Sequence, residues 1–531
     1  MADVKSIIEE GKTALGIEFG STRIKAVLVD ESGKVLAQGD HGWENQYENG
    51  IWTYSLDMVW DGLADAYANL ASDVKSRFDA DITKTAAIGF SAMMHGYLAF
   101  DKDGNLLAPF RTWRNTITEE SAAALTKEFG FNIPQRWSIA HLYQAILNGE
   151  EHVKDISFFT TLAGYVHWVL TGEKVLGVGD ASGMFPIDSA SGDYNKEYLD
   201  KFRGLVKDKG FGWDIADILP RVLTAGDNAG VLSAEGAAKL DRSGKLSAGI
   251  PLCPPEGDAG TGMVATNSVS VRTGNVSAGT SVFAMVVMEK PLSKVHEQID
   301  VVTTPVGDDV AMVHCNNCTS DINAWANLFK EYSQAMGMEV DMNKLYTTMF
   351  TKALDGDTDC GGLYGFNYFS GEPVTGFEAG RPVFMREVNA KFTFANFMRL
   401  HLYSAVSTLK YGLDILFKEE KAAVDRLYGH GGFFKTKEAG ARILSAATAG
   451  PVTVMETAGE GGAWGMALLA LYLVKEDKKG LSDFLTNEIF AGEKEETVMA
   501  TEDEIRGFDK FMEGFVKTLP VQRAAIDALG E

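Results

Sequence analysis

Two stretches of this chain, about 250 residues apart, repeat one pattern: a strand, a Gly-[Ser/Thr]-[Ser/Thr] turn and a returning strand. In the first, apolar Ala14, Leu15 and Ile17 run to Gly20-Ser21-Thr22, and Ile24 to Val29 comes back before the turn Asp30-Glu31-Ser32-Gly33. In the second, Asn275-Val276-Ser277-Ala278 leads to Gly279-Thr280-Ser281 and then Val282 to Met288. A supersecondary unit repeated at that separation predicts two related domains of similar size. With the boundary near Thr266-Asn267-Ser268, the expected domains are 1–266 and 267–531. The length agrees, because single cores stop growing near ~250–300 residues.

Charge narrows the partners. With 49 Lys plus Arg against 73 Asp plus Glu, the formal net charge is −24. Nucleic-acid backbones need clustered cations, so DNA and RNA are excluded as main partners, and docking on an anionic membrane is excluded likewise. The opening residues lack a basic segment followed by an apolar one, so no signal peptide is expected. The longest uncharged apolar stretch, between Glu460 and Lys475, falls short of the ~18 residues that span a bilayer. A cytoplasmic location is expected. Cys315-Asn316-Asn317-Cys318 could be a redox dithiol or half a zinc site, but no second pair completes four ligands. Small thiols at a strand end is the favoured reading. Asp101-Lys102-Asp103-Gly104-Asn105 has its glycine too early for a calcium loop and reads as a hairpin turn.

Periodicity predicts helices over Leu56 to Leu70 and Ile117 to Phe129, a long amphipathic helix over Phe392 to Phe417, and a small-residue helix ending near Val474. A buried strand is expected from Thr85 to Phe90, ending in the loop Ser91 to Gly96, and another at Leu427 to His430, entering a Gly loop. No G-x-x-x-x-G-K-[ST] occurs, and Gly429-His430-Gly431 lacks the third glycine of a dinucleotide fingerprint. What remains is two Gly-hydroxyl turns and the acidic loop Glu256-Gly257-Asp258-Ala259-Gly260-Thr261-Gly262. Tight turns let backbone N–H groups and hydroxyls close on phosphate oxygens. A carboxylate beside that anion makes sense as a metal anchor or as a general base toward a hydroxyl nucleophile. A helix N-cap is the simpler alternative for Asp258, and the two roles are compatible. The combination points to phosphoryl transfer.

Taken in order, these segments resemble the FGGY family of carbohydrate kinases across essentially the whole chain. GIEFGSTRIKAVLVD (Gly16 to Asp30) and GNVSAGTSVFA (Gly274 to Ala284) resemble its two phosphate motifs. FSAMMHG (Phe90 to Gly96) resembles the sugar-site loop, with the Met-His-Gly of xylulokinases, and FRTWRNT (Phe110 to Thr116) lies where the family has Trp-Asn-Asp. LAGYVHWVLTGE and GDASGMFPID (Leu162 to Asp188) match the first signature region, and PEGDAGTG (Pro255 to Gly262) the catalytic-Asp loop. YGHGGF (Tyr428 to Phe433) and ETAGEGGAWGMALLA (Glu456 to Ala470) resemble the adenosine-site loop and the helix behind it. The resemblance implies an α/β, two-domain actin-like (ribonuclease-H-like) ATPase fold with a central interdomain cleft. It implies ATP and Mg2+ as cofactors, a sugar acceptor, and a homodimer as the family-level assembly.

Carried over by position, the resemblance gives Asp258 as the base that takes the proton of the attacking sugar hydroxyl. Gly20, Ser21, Thr22, Gly279, Thr280 and Ser281 would close on the phosphates, and Gly431, Gly432 and Phe433 would form the adenosine site. Met94, His95, Trp113 and Asn115 would line the sugar pocket with Asp258, while Glu18 and Asp258 would hold the metal. His95 could instead be a solvent-exposed turn residue, and Trp113 could be core. Two departures stand out. Glu18 replaces the family's Asp, and Asn115, beside Arg114, replaces another. The expected reaction is phosphorylation of the terminal hydroxyl of a ketopentose, D-xylulose first and L-ribulose second. An actin- or chaperone-like ATPase without sugar chemistry is the alternative from another class.

Overall fold

A computed structural model of the chain describes residues 4–436, 438–455 and 461–530. Contacts divide it into two compact units. The first runs to Val269 and is completed by Lys294–Val310 and residues 461–492; the second comprises Ser270–Ser293 and the remaining described residues. The first break falls close to the expected boundary. The units nevertheless differ from a single cut at 266, because two later segments return to the first unit.

The first unit is built on a sheet of β1 (Thr13–Phe19), β2 (Arg23–Asp30), β3 (Val35–Gly42), β4 (Ala87–Ala92) and β5 (Glu256–Gly257). Its order is β5-β4-β1-β2-β3. The hairpin strands β1 and β2 pair antiparallel with Ile17 opposite Ala26, whereas β1, β4 and β5 run parallel. Nearly every residue of β1 and β4 is buried, as expected of strands covered on both faces. One cover of the sheet is the helix Leu56–Phe78, which packs against β2 and β3 and is started by Ser55, whose hydroxyl accepts the Met58 N–H at 3.2 Å. The other is Gly462–Leu473, all twelve residues of which are buried. No helix among the described residues is long and apolar enough to cross a membrane.

The second unit repeats the plan with β6 (Thr273–Ala278), β7 (Val282–Val287), β8 (Asp309–Cys315), β9 (Arg426–His430), β10 (Val452–Met455) and β11 (Glu495–Val498). The strands lie in the order β8-β7-β6-β9-β10-β11. Here too the first hairpin strand, β6, has its antiparallel partner β7 on one side and a parallel strand, β9, on the other. The helix expected as amphipathic over Phe392 to Phe417 spans Phe394–Asp414 and is buried on every side from Asn396 through Lys410. Several of its polar residues bond within the protein: Arg399 donates to the Ala353 carbonyl at 2.9 Å, Ser404 to Gly365 at 3.2 Å and Lys410 to Asp414 at 2.7 Å. A period in polarity therefore marked bonding partners, not a solvated face.

Candidate active site

The first turn joins β1 to β2 and is fixed by its carbonyls. Gly20 O accepts from Trp43 Nε1 at 2.7 Å, Ser21 O from Tyr54 Oη at 2.5 Å and Thr22 O from the Trp43 N–H at 3.2 Å. In a trans peptide the N–H points opposite to the preceding carbonyl. Anchoring Gly20 O and Ser21 O inward therefore turns the N–H groups of Ser21 and Thr22 outward, beside their own hydroxyls. Trp113, expected in the sugar pocket, donates its Nε1 to Ser21 Oγ at 3.2 Å and is 36% exposed. It belongs to this turn's surroundings rather than to the core.

Behind the turn, acidic side chains gather at the C-terminal ends of the parallel strands. Glu18 on β1 and Glu256 on β5 both face Ser91 of β4 in register. Asp258 opens the helix Asp258–Ala265 immediately after β5, with Gly257 as its N-cap. Its Oδ1 accepts the Met94 N–H at 3.3 Å, which ties the Met-His-Gly loop to this carboxylate. Burial pushes the Asp258 carboxyl up to about 6 even though the Met94 and Ala259 N–H groups pull it down. Glu18 is pushed to about 7, by burial first and by the Asp258 charge second. Its carboxylate lies against Gly462, where a Cβ would come within 2.2 Å of Oε1, and it accepts the Ala463 N–H. The extra methylene of glutamate thus reaches the start of the Gly462–Leu473 helix, and glycine there leaves it room.

Two further carboxyls were not singled out from sequence. Asp180 Oδ2 accepts from Thr161 Oγ1 at 2.6 Å, while Oδ1 is buried without a hydrogen-bond partner. Glu256 Oε2 accepts the Asp180 N–H at 3.0 Å. Burial raises Asp180 to about 7 and Glu256 to about 8. Both lie inside motifs quoted for the family resemblance, yet nothing in the linear pattern showed that they converge on Asp258.

His95 is buried, not a solvent-exposed turn residue, and adopts a left-handed backbone with φ +67°. Nδ1 donates to the Gly183 carbonyl at 3.0 Å and Nε2 accepts from Arg136 Nε at 3.3 Å. Those partners fix a neutral tautomer, and burial with the Arg136 charge holds its pKa down at about 3. Arg136 in turn pairs with Asp300, 164 residues away, a contact no sequence signal announced. Asn115, expected at the sugar, has its amide spent on the backbone. Oδ1 accepts the Trp52 N–H at 2.8 Å, and Nδ2 donates to Trp52 O at 2.8 Å and Thr112 O at 3.0 Å. Arg114 stacks on the Trp52 ring at 4.0 Å.

The second turn is held by other means. Gly279 O accepts from Thr319 N at 3.1 Å and Thr319 Oγ1 at 2.7 Å, and Thr280 O accepts from Cys318 N at 2.8 Å. By the same peptide geometry the N–H groups of Thr280 and Ser281 are aimed away from those partners. The Cys-x-x-Cys segment is therefore a brace: its thiols are buried, not joined to each other, and pushed above the usual thiol range by burial. Asn317 and Glu372 pin it, with Asn317 Nδ2 donating to Glu372 at 3.0 Å. Gly431, at φ +102°, passes so close to Ala278 that a Cβ would meet its carbonyl at 2.5 Å. Gly432 faces open space, whereas Phe433 is fully buried against Phe350 and Phe434, so its ring points into the core. Glu456 to Glu460 of the motif before the small-residue helix lie outside the described residues.

A divalent cation fits the Glu18–Asp258 pair. Two neighbouring, half-buried carboxyls with raised pKa values repel each other as anions, and a hard cation bound directly or through water relieves that repulsion. Among the described residues no group of three or more His, Cys, Asp or Glu side chains forms a metal site. Water and phosphate oxygens would complete the shell, as is usual for Mg2+.

Two halves that share a topology, each with a Gly-hydroxyl turn, define a mixed α/β protein of the actin-like two-domain class. Residues 13–264 match the FGGY family of carbohydrate kinases, N-terminal domain, and residues 274–474 match its C-terminal domain; the chain belongs to this family. It is 23% identical to the xylulose kinase of Haemophilus influenzae over 434 residues, 78% of this chain and 82% of that one. Its fold is similar to ligand-bound xylulose kinase from Lactobacillus acidophilus, with a TM-score of 0.78 at 17% identity, covering 97% of this chain and 99% of that one. A gluconate kinase from the same organism superposes with a TM-score of 0.77 at 17% identity, over 97% and 98% of the two chains.

Proposed function

We propose that the protein transfers the γ-phosphoryl group of ATP to the terminal hydroxyl of a ketopentose, D-xylulose ahead of L-ribulose, in the cytoplasm. The observation that supports the reading is the bond from the Met94 N–H to Asp258, which joins the loop expected at the sugar to the expected base. Asp258 accepts the proton as the sugar oxygen bonds to phosphorus and the bond to the ADP oxygen breaks. The outward N–H groups of the first turn, with Ser21 and Thr22, and those of the second, with Thr280 and Ser281, bind the phosphates; Gly431 and Gly432 leave room for the adenosine. Mg2+ at Glu18 and Asp258 would neutralise phosphate charge. Met94, His95 and Trp113 shape the acceptor pocket. His95 is neutral there and its ring nitrogens are both engaged, so it acts by shape and through Arg136. Asn115 is left out, since its amide is consumed by Trp52 and Thr112. The change at 115 thus gives no ground for preferring L-ribulose.

A coupled ADP-release assay across D-xylulose, L-ribulose, D-ribulose, L-xylulose, gluconate and glycerol tests the reading. The highest kcat/KM is expected for D-xylulose. ATP hydrolysis that no acceptor stimulates would instead favour an ATPase without sugar chemistry.

A further inference from the structure

The first turn depends on two aromatic residues that no motif includes. Trp43 and Tyr54 lie 23 and 33 residues beyond the carbonyls that their side chains hold. They are almost wholly buried and stack on each other at 4.2 Å with an interplanar angle of 26°. Phe19, at the end of β1, and Phe110 pack against the same pair. Each ring therefore sits in a fixed place, and each directs one polar hydrogen at one carbonyl of the turn. Trp43 adds a second bond through its backbone N–H to Thr22 O.

We propose that Trp43 and Tyr54 are positioning residues for nucleotide binding: by fixing the carbonyls of Gly20 and Ser21 they aim the Ser21 and Thr22 N–H groups at the terminal phosphates of a nucleoside triphosphate. The inference rests on the kinase reading and adds to it the residues that orient one half of the anion site. Such amides bind best when their direction is set before the ligand arrives, because no reorganisation then opposes binding. Without the Tyr54 hydroxyl, the Ser21–Thr22 peptide loses its inward anchor and samples orientations in which its N–H faces away from the ligand. Burial pushes the Tyr54 hydroxyl up to about 12, so it remains a donor across the working pH range.

The test uses the full-length protein, Mg2+ and a non-hydrolysable ATP analogue titrated calorimetrically, with KM for ATP and for sugar measured in parallel. Tyr54→Phe removes only the donor. It is expected to weaken analogue binding and raise KM for ATP by roughly three- to tenfold while KM for sugar stays within about twofold. Trp43→Phe, which keeps a stacked ring but loses the Gly20 bond, should show the same selectivity. Tyr67→Phe is the control, since the Tyr67 hydroxyl is buried with no hydrogen-bond partner, and both KM values should stay unchanged. Wild-type affinity for the analogue in Tyr54→Phe overturns the brace. So does a parallel loss of nucleotide and sugar affinity with a lowered thermal midpoint, the mark of a general structural role. A wild-type protein that fails to bind the analogue overturns the kinase reading and the brace with it.

Discussion

The two Gly-hydroxyl turns share a composition and a place between two antiparallel strands, but not a support. In the first unit the carbonyls are held by side chains of distant aromatic residues, Trp43 and Tyr54. In the second they are held by the next loop in the same sheet, through the backbone of Cys318 and Thr319 and one threonine hydroxyl. The surroundings differ as well. Four carboxyls with raised pKa values, Glu18, Asp180, Glu256 and Asp258, stand behind the first turn. Behind the second stands Glu372, which accepts N–H bonds that fix the loop. The units thus differ most in the row of acids at the strand ends beside the first turn.

The sharpest way to break this contrast is Asp258→Asn. It should lower kcat by ~10²–10⁴-fold while the ATP analogue still binds, because the proposed base is removed and the turn is not. Near-normal turnover would place the base elsewhere, and an equal loss from Glu372→Gln would erase the distinction between the units. Next in size is Gly431→Ala, where a Cβ meets the Ala278 carbonyl in a backbone conformation suited to glycine. Thermal unfolding should show a loss of about 1–3 kcal/mol, with KM for ATP raised and KM for sugar unchanged.

A pH comparison follows from Glu372, which burial raises to about 7 from 4.5. Between those values the folded protein holds a proton that the unfolded chain has released. This contribution to stability is complete below pH 4.5 and is lost as pH rises through 7, on the order of 3 kcal/mol in all. Denaturant melts of Glu372→Gln should lack that part of the slope; an identical pH profile would show that the carboxyl does not titrate there. The smallest effect is expected of Thr319→Val, which removes one of the two bonds to Gly279 O. KM for ATP should rise about two- to threefold, less than for Tyr54→Phe, since the Thr319 N–H still holds the carbonyl. A larger effect than in Tyr54→Phe would reverse the ranking of the two supports.

Much of the plan was legible in the chain. Both hairpins showed as apolar strands broken by Gly-hydroxyl turns, and the loop from Glu256 to Gly262 stood out as acidic residues among glycines. Local signals of this kind survive because each concerns residues within one turn or strand. The return of residues 294–310 and 461–492 to the first unit was not legible, because one helix of small buried residues packs equally well on either sheet as far as its own sequence tells. Asn115 and Phe433 looked like site residues by position, yet the amide of one clamps Trp52 and the ring of the other fills the core.

Order and composition by themselves determined two strand–turn–strand hairpins with Gly-hydroxyl tips, the main helices around them and an acidic Gly-rich loop, since these follow from periodicity and backbone chemistry. Only the tertiary structure decided which distant groups meet: Tyr54 with Ser21, Arg136 with His95 and Asp300, and Glu18 with Ala463. The direction of a peptide and the proton affinity of a carboxyl depend on neighbours a few ångströms away in space, and chain separation carries no record of them.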